Sequence, residues 1–144
     1  MEISPHFALQ DFIPKEIFKR YKEKSIRFIN PSIINMAEAI YNRFNAKVII
    51  NNWHNYIENE YYYNYSGYRP PFCKIGSFMS PHKQGLALDI KIKGLSPEEI
   101  KEDIINNYNS FYKDSHITTL KKEKNKKHLH ISCQWTFEQN LNII

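Results

Sequence analysis

Cysteine and glycine are scarce in this 144-residue chain, which has two of the first and four of the second. Cys73 and Cys133 make neither a C-x-x-C redox motif nor a four-cysteine metal framework. Two free thiols are expected, with one disulfide between them as the alternative. No run of about 18 apolar residues exists, so no membrane span is expected. The opening Met1-Glu2-Ile3-Ser4-Pro5 lacks the basic-then-apolar plan of a secretory leader. Internal repeats and linkers rich in proline or glycine are missing too, and the length suits one core, so residues 1–144 are expected to form a single domain.

Apolar residues make up 42% of the chain and charged residues 24%, the balance of a folded globular domain. The net charge of +5 favours polyanionic neighbours, whether nucleic acid, anionic membranes or anionic wall polymers, and does not choose among them. The basic stretch Lys121-Lys122-Glu123-Lys124-Asn125-Lys126-Lys127 has no nucleic-acid recognition motif around it, so nucleic acid is not an expected partner.

Periodicity predicts helices over residues 14–25, 31–45 and 97–108. Asn30-Pro31 supplies an N-cap and an N1 proline for the second, and Ser96-Pro97-Glu98-Glu99 supplies a capping box for the third. Strands are predicted at 47–51, 86–92, 117–120 and 128–133. Between 52 and 79 lies a long aromatic loop of the kind that tends to be functional. Its tyrosines (Tyr56, Tyr61, Tyr62, Tyr63, Tyr65 and Tyr68) either wall a cleft or cover the core. His54, near its start, is expected to be a hydrogen-bonded structural residue.

The chemistry gathers around Ser80-Pro81-His82-Lys83-Gln84-Gly85-Leu86-Ala87-Leu88-Asp89. Leu86, Leu88, Ile90 and Ile92 alternate with Ala87, Asp89 and Lys91, which predicts one face in the core and the other open. Gly85 permits a bend that brings His82 back toward Asp89. In the late strand Leu129 and Ile131 point one way, so His128 and His130 point together the other way. If the two strands pair with their polar faces aligned, His82, Asp89 and one histidine of the late pair converge. Two imidazoles and one carboxylate around zinc leave a residual positive charge and an open fourth position, which is the composition of a hydrolytic site.

The pattern S-x-H-x-x-G-x-A-x-D followed by H-x-H resembles the zinc D-alanyl-D-alanine peptidases, a group that includes bacterial carboxypeptidases, phage endolysin peptidases and the hedgehog signalling domain. Ser66-Gly67-Tyr68-Arg69-Pro70 is similar to the family's substrate-arginine motif, and Phe7-Ala8-Leu9-Gln10-Asp11-Phe12 to the lead-in of short phage members, so the resemblance spans roughly residues 5 to 135. It implies an α+β fold of the hedgehog/DD-peptidase kind, a small antiparallel sheet with helices packed on one face and the zinc cleft on the other. It also implies zinc on His82, Asp89 and His130. The activity implied is hydrolysis of a D-Ala-D-Ala or L-Ala-D-Glu bond in the peptidoglycan stem peptide, by a protein of the host cytoplasm or a phage virion.

Under the same resemblance Arg69 grips the scissile carbonyl or its oxyanion, Ser80 orients substrate or caps its loop, and His128 assists beside the metal. The proton acceptor falls on Glu123, seven residues before His130, as in several short phage relatives. Those relatives place the glutamate directly after a Thr-x-Ile/Leu strand, where Lys121 stands here. Glu123 therefore reads either as the base or as a solvated charge, with Asp114 a distant substitute. A hedgehog-like domain that keeps its zinc as a catalytically silent binding or virion module is the alternative function.

Overall fold

The computed structural model describes residues 1–134 and 141–144; residue 135, where the resemblance ends, lies outside them. In chain order the elements are β1 (Glu2–Ser4), β2 (Phe7–Ala8), α1 (Lys15–Tyr21), α2 (Pro31–Phe44), β3 (Val48–Ile49), β4 (Ala87–Ile92), α3 (Pro97–Asn106), β5 (Thr119–Lys121), β6 (Leu129–Ser132) and β7 (Asn142–Ile143). The fold is mixed α and β. β1 and β2 form a separate two-stranded ribbon, and the other strands form a five-stranded sheet in the order β3-β4-β6-β5-β7. Its first three pairings are antiparallel, as expected, whereas the outer β5–β7 pair is parallel.

The helices follow from their ends. The Asn30 side chain accepts from the Ser32 N–H at 2.9 Å, Pro31 occupies the first turn, and Asn45 closes α2 in the left-handed conformation at φ 47°. In α3 the Ser96–Glu99 capping box forms in both directions. The first helix ends at Tyr21, earlier than the pattern suggests, and the chain goes on as a 3-10 turn over Lys22–Phe28. α2 contributes Ile33, Met36, Ala37 and Ile40 to the core, and α3 contributes Ile100 and Ile104. These meet Leu88, Ile90, Leu129 and Ile131, the apolar face of the central strand pair.

The other face of β4 departs from expectation. All six residues of the strand are buried, Asp89 and Lys91 included. The aromatic loop covers them, because two asparagines at its root take the place of a missing strand partner. The Asn52 side chain exchanges hydrogen bonds with the backbone of Tyr61 and Tyr63 at 2.7 Å each, and the Asn51 side chain accepts from the Ser66 N–H at 2.9 Å. The Ser66 carbonyl then accepts from the Asp89 N–H at 2.8 Å, extending the sheet edge beyond β3. Alternation predicts which side a residue faces, but not what a distant loop lays over it.

Gly85 makes the bend between the histidine loop and β4. It sits at φ +69°, and a Cβ there would lie 2.4 Å from the Phe28 carbonyl oxygen, in the backbone of another segment. Gly85→Ala should therefore destabilise the protein by about 2 kcal/mol or more. Urea unfolding measures this; a midpoint unchanged from wild type contradicts the packing described.

Candidate metal centre

Register brings the first two ligand candidates together. Asp89 on β4 pairs directly with His130 on β6, so their side chains share the face turned away from the core. His82 comes from the 3-10 turn Pro81–Gln84, whose N-cap, Ser80, accepts from the His82 N–H at 3.3 Å. Its Nε2 lies 3.1 Å from Asp89 Oδ1, and His130 Nδ1 lies 3.1 Å from the same oxygen. The ligand atoms of His82, Asp89 and His130 all fall within 4.8 Å of one another.

The protonation pattern shows what this cluster is built for. His82 Nδ1 is 2.9 Å from the Gly67 carbonyl, which can only accept, so Nδ1 carries the hydrogen. Burial pushes the His82 pKa down against the pull of Asp89, so the ring is neutral. Its Nε2 then presents a lone pair to a carboxylate oxygen that also offers one. Burial raises the Asp89 pKa, but the hydrogen bond from His130 and the charges around the carboxyl outweigh it and hold it well below its usual range. Two electron-rich atoms facing each other at 3.1 Å are stable around a shared cation. Bond lengths of about 2.0–2.2 Å in a tetrahedron put donors about 3.3 Å apart, close to the 3.1 Å of the two imidazole–carboxylate contacts. The set of two nitrogens and one oxygen could hold a metal ion.

The second carboxylate oxygen is used differently. Asp89 Oδ2 accepts from Arg69 Nη2 at 3.0 Å and has His128 Nε2 at 3.5 Å. Arg69 is buried and also donates Nε–H to the Tyr65 carbonyl at 2.7 Å. Its Nη1 has no hydrogen-bond partner among the described residues. His128 is kept neutral by burial, which outweighs the opposing pull of Asp89.

The cluster opens into a cleft of about 560 Å³. Arg69, Ser80, Glu123 and His128 all line it together with His82, Asp89 and His130. Glu123 is on the rim, with its side chain 44% exposed and 3.6 Å from Lys121 Nζ. Asp114 is not among the lining residues, nor are the tyrosines of the aromatic loop. Tyr68 is buried, Tyr63 lies over Lys91, Tyr65 bonds Glu16 through its hydroxyl, and Tyr56, Tyr61 and Tyr62 are exposed. His54 pairs with Asp11 at 3.2 Å, a structural role. Cys73 and Cys133 are both free thiols, so no disulfide joins them.

Two residues have roles that the sequence pattern does not express. Gly67 carries the carbonyl that sets the His82 tautomer, and a Cβ at this position would sit 2.4 Å from the Phe12 carbonyl. Lys91, two residues beyond Asp89 on the same face, donates to Ile50 O at 3.1 Å and Ser66 Oγ at 2.9 Å beneath the Tyr63 ring. The period-two pattern gave its facing but not its burial.

Comparison with protein-family models, with curated proteins and with solved structures finds no match to this chain. The site therefore rests on its own geometry.

Two outcomes follow from these contacts. Zinc at a hundredfold excess over its dissociation constant should raise the unfolding temperature of the wild type by about 5 °C or more, and that of His82→Ala hardly at all; equal shifts contradict the ligand set. Burial brings the Lys91 pKa down to about 7, against the pull of Asp89. Between about pH 7 and 10.5 the unfolded chain then holds a proton that the folded chain has released, so stability rises with pH across that window. Chemical denaturation of Lys91→Met should lack this rise.

Proposed function

We propose that this protein is a zinc-dependent peptidase acting on the stem peptide of peptidoglycan, at a D-Ala-D-Ala or L-Ala-D-Glu type bond. The observation that carries the proposal is the convergence of His82, Asp89 and His130 at the base of a cleft also lined by Arg69, His128 and Glu123. The resemblance of Ser80–Asp89 and Ser66–Pro70 to the zinc D-alanyl-D-alanine peptidases supplies the substrate class.

Bound zinc would supply a Lewis acid that polarises the scissile carbonyl and makes water nucleophilic near neutral pH. The residues of this chain do the rest. Arg69, fixed by Tyr65 and Asp89, holds Nη1 toward the cleft, where it stabilises negative charge developing on the carbonyl oxygen. Glu123 takes a proton from the attacking water and passes it to the leaving amine. Neutral His128 donates or accepts a hydrogen bond beside Asp89 Oδ2. The Gly67 carbonyl keeps His82 in the tautomer that a metal requires.

One observation favours the second reading, a zinc-containing binding or virion module without catalysis. Glu123 is half exposed and paired with Lys121, as a solvated charge would be. Activity separates the two readings. The zinc-loaded protein should release peptide fragments from purified peptidoglycan, seen by mass spectrometry. His82→Ala should abolish release, and Glu123→Gln should lower kcat by about 10²–10⁴ while zinc stays bound. Full activity in Glu123→Gln removes its role as the base, and absence of any hydrolysis by the loaded wild type favours the silent module.

A further inference from the structure

The run from Lys121 to Lys127 contains five lysines, and the structure gives three of them internal partners. Lys121 Nζ lies 3.6 Å from Glu123 Oε1. Lys122 Nζ braces the turn by donating to the carbonyls of Glu123 and Lys126, the latter at 2.8 Å, and it also pairs with Glu98 at 3.6 Å. Lys127 Nζ sits 3.8 Å from the centre of the Tyr61 ring. Lys124 and Lys126 remain. Of these two, Lys126 lines the cleft, its ammonium without a hydrogen-bond or ion-pair partner among the described residues.

The sheet shows where this charge lies relative to the metal ligands. Asp89, His130 and Lys121 form one row across β4, β6 and β5, because His130 is directly opposite both of the others. Neighbouring strands are about 4.8 Å apart, so the lysine wall begins one strand beyond His130, while Arg69 flanks Asp89 on the opposite side. A substrate with its scissile carbonyl over His82, Asp89 and His130 thus has a buried guanidinium on one side and the lysine-bearing end of β5 and its turn on the other. Among the described side chains of the cleft, both carboxylates are already engaged, Asp89 by Arg69 and the imidazoles, Glu123 by Lys121. Lys126 is thus the charged side chain of the cleft that lacks a hydrogen-bond or ion-pair partner among the described residues.

We propose that Lys126 forms an anion subsite that receives a carboxylate of the substrate close to the scissile bond. The inference rests on the peptidase reading for its substrate class and goes beyond it. Of the stem peptides the protein meets, it selects those with a free carboxylate there and discriminates against those in which that group is an amide. Two groups in such peptides share this chemistry, the α-carboxylate of a γ-linked D-glutamate and the carboxylate at the peptide's C-terminal end.

The test uses the zinc-loaded full chain and four synthetic stem peptides, which pair isoglutamate with isoglutamine and a terminal acid with a terminal amide. Binding is read by calorimetry and hydrolysis by kcat/KM. The wild type should prefer one acid over its amide by about tenfold. Lys126→Gln should lose the preference, whereas Lys126→Arg and the cleft-remote Lys124→Gln should keep it. The pair that responds identifies which carboxylate is read. Equal binding of acid and amide by the wild type, or a preference unchanged in Lys126→Gln, overturns the subsite. Hydrolysis without discrimination removes only the subsite. Discrimination in binding without hydrolysis of any peptide leaves the subsite standing and removes the peptidase.

Discussion

A buried carboxylate is costly unless each of its oxygens finds a partner, and Asp89 meets that condition by dividing them. Oδ1 faces the two imidazole nitrogens, and Oδ2 is held by Arg69 with His128 beside it. Much of the surrounding structure serves this one side chain. Its backbone N–H is bound by Ser66, whose own N–H is bound by Asn51, and the next residue, Gly67, bonds His82. A short segment around residues 65–69 thus supplies the Tyr65 carbonyl, the Gly67 carbonyl and Arg69, and every one of them bears on the cluster.

This arrangement suits a site in which geometry matters more than affinity. Asp89 and His130 stand on adjacent antiparallel strands whose opposite faces pack against α2 and α3, so neither can shift without disturbing the core. His82 is less rigidly based, on a 3-10 turn, but three contacts tie that turn down: the Ser80 cap, the Gly67 carbonyl, and the Arg69 N–H on the His82 carbonyl at 3.1 Å. The cleft walls differ in kind. Arg69 is enclosed and already oriented, whereas Glu123 and Lys126 sit on an exposed turn braced by Lys122.

Much of the site was legible in the sequence because it follows from strand alternation. Leu88 and Ile90 place Asp89 opposite the core, Leu129 and Ile131 do the same for His130, and antiparallel pairing of the strands joins them. The two capped helices were legible for a similar reason, since Asn30-Pro31 and Ser96-Pro97 act locally. What escaped depends on contacts between distant segments. Lys91 reads as exposed because nothing near it in the chain reveals the Tyr63 ring or the Ser66 hydroxyl. Gly67 reads as part of a motif, although its importance lies in the approach of Phe12 and in a carbonyl that no side-chain pattern can express. The parallel β5–β7 pair and the early end of α1 are likewise matters of tertiary packing.

The central claim is that one divalent ion belongs between His82 Nε2, Asp89 Oδ1 and His130 Nδ1. X-ray absorption spectroscopy at the zinc edge, on protein loaded with one equivalent, tests it most directly. The predicted result is a shell of nitrogen and oxygen at about 2.0–2.1 Å, with outer-shell scattering from two imidazoles and no sulfur at about 2.3 Å. A sulfur shell, a single imidazole, or zinc surrounded by water alone would contradict it.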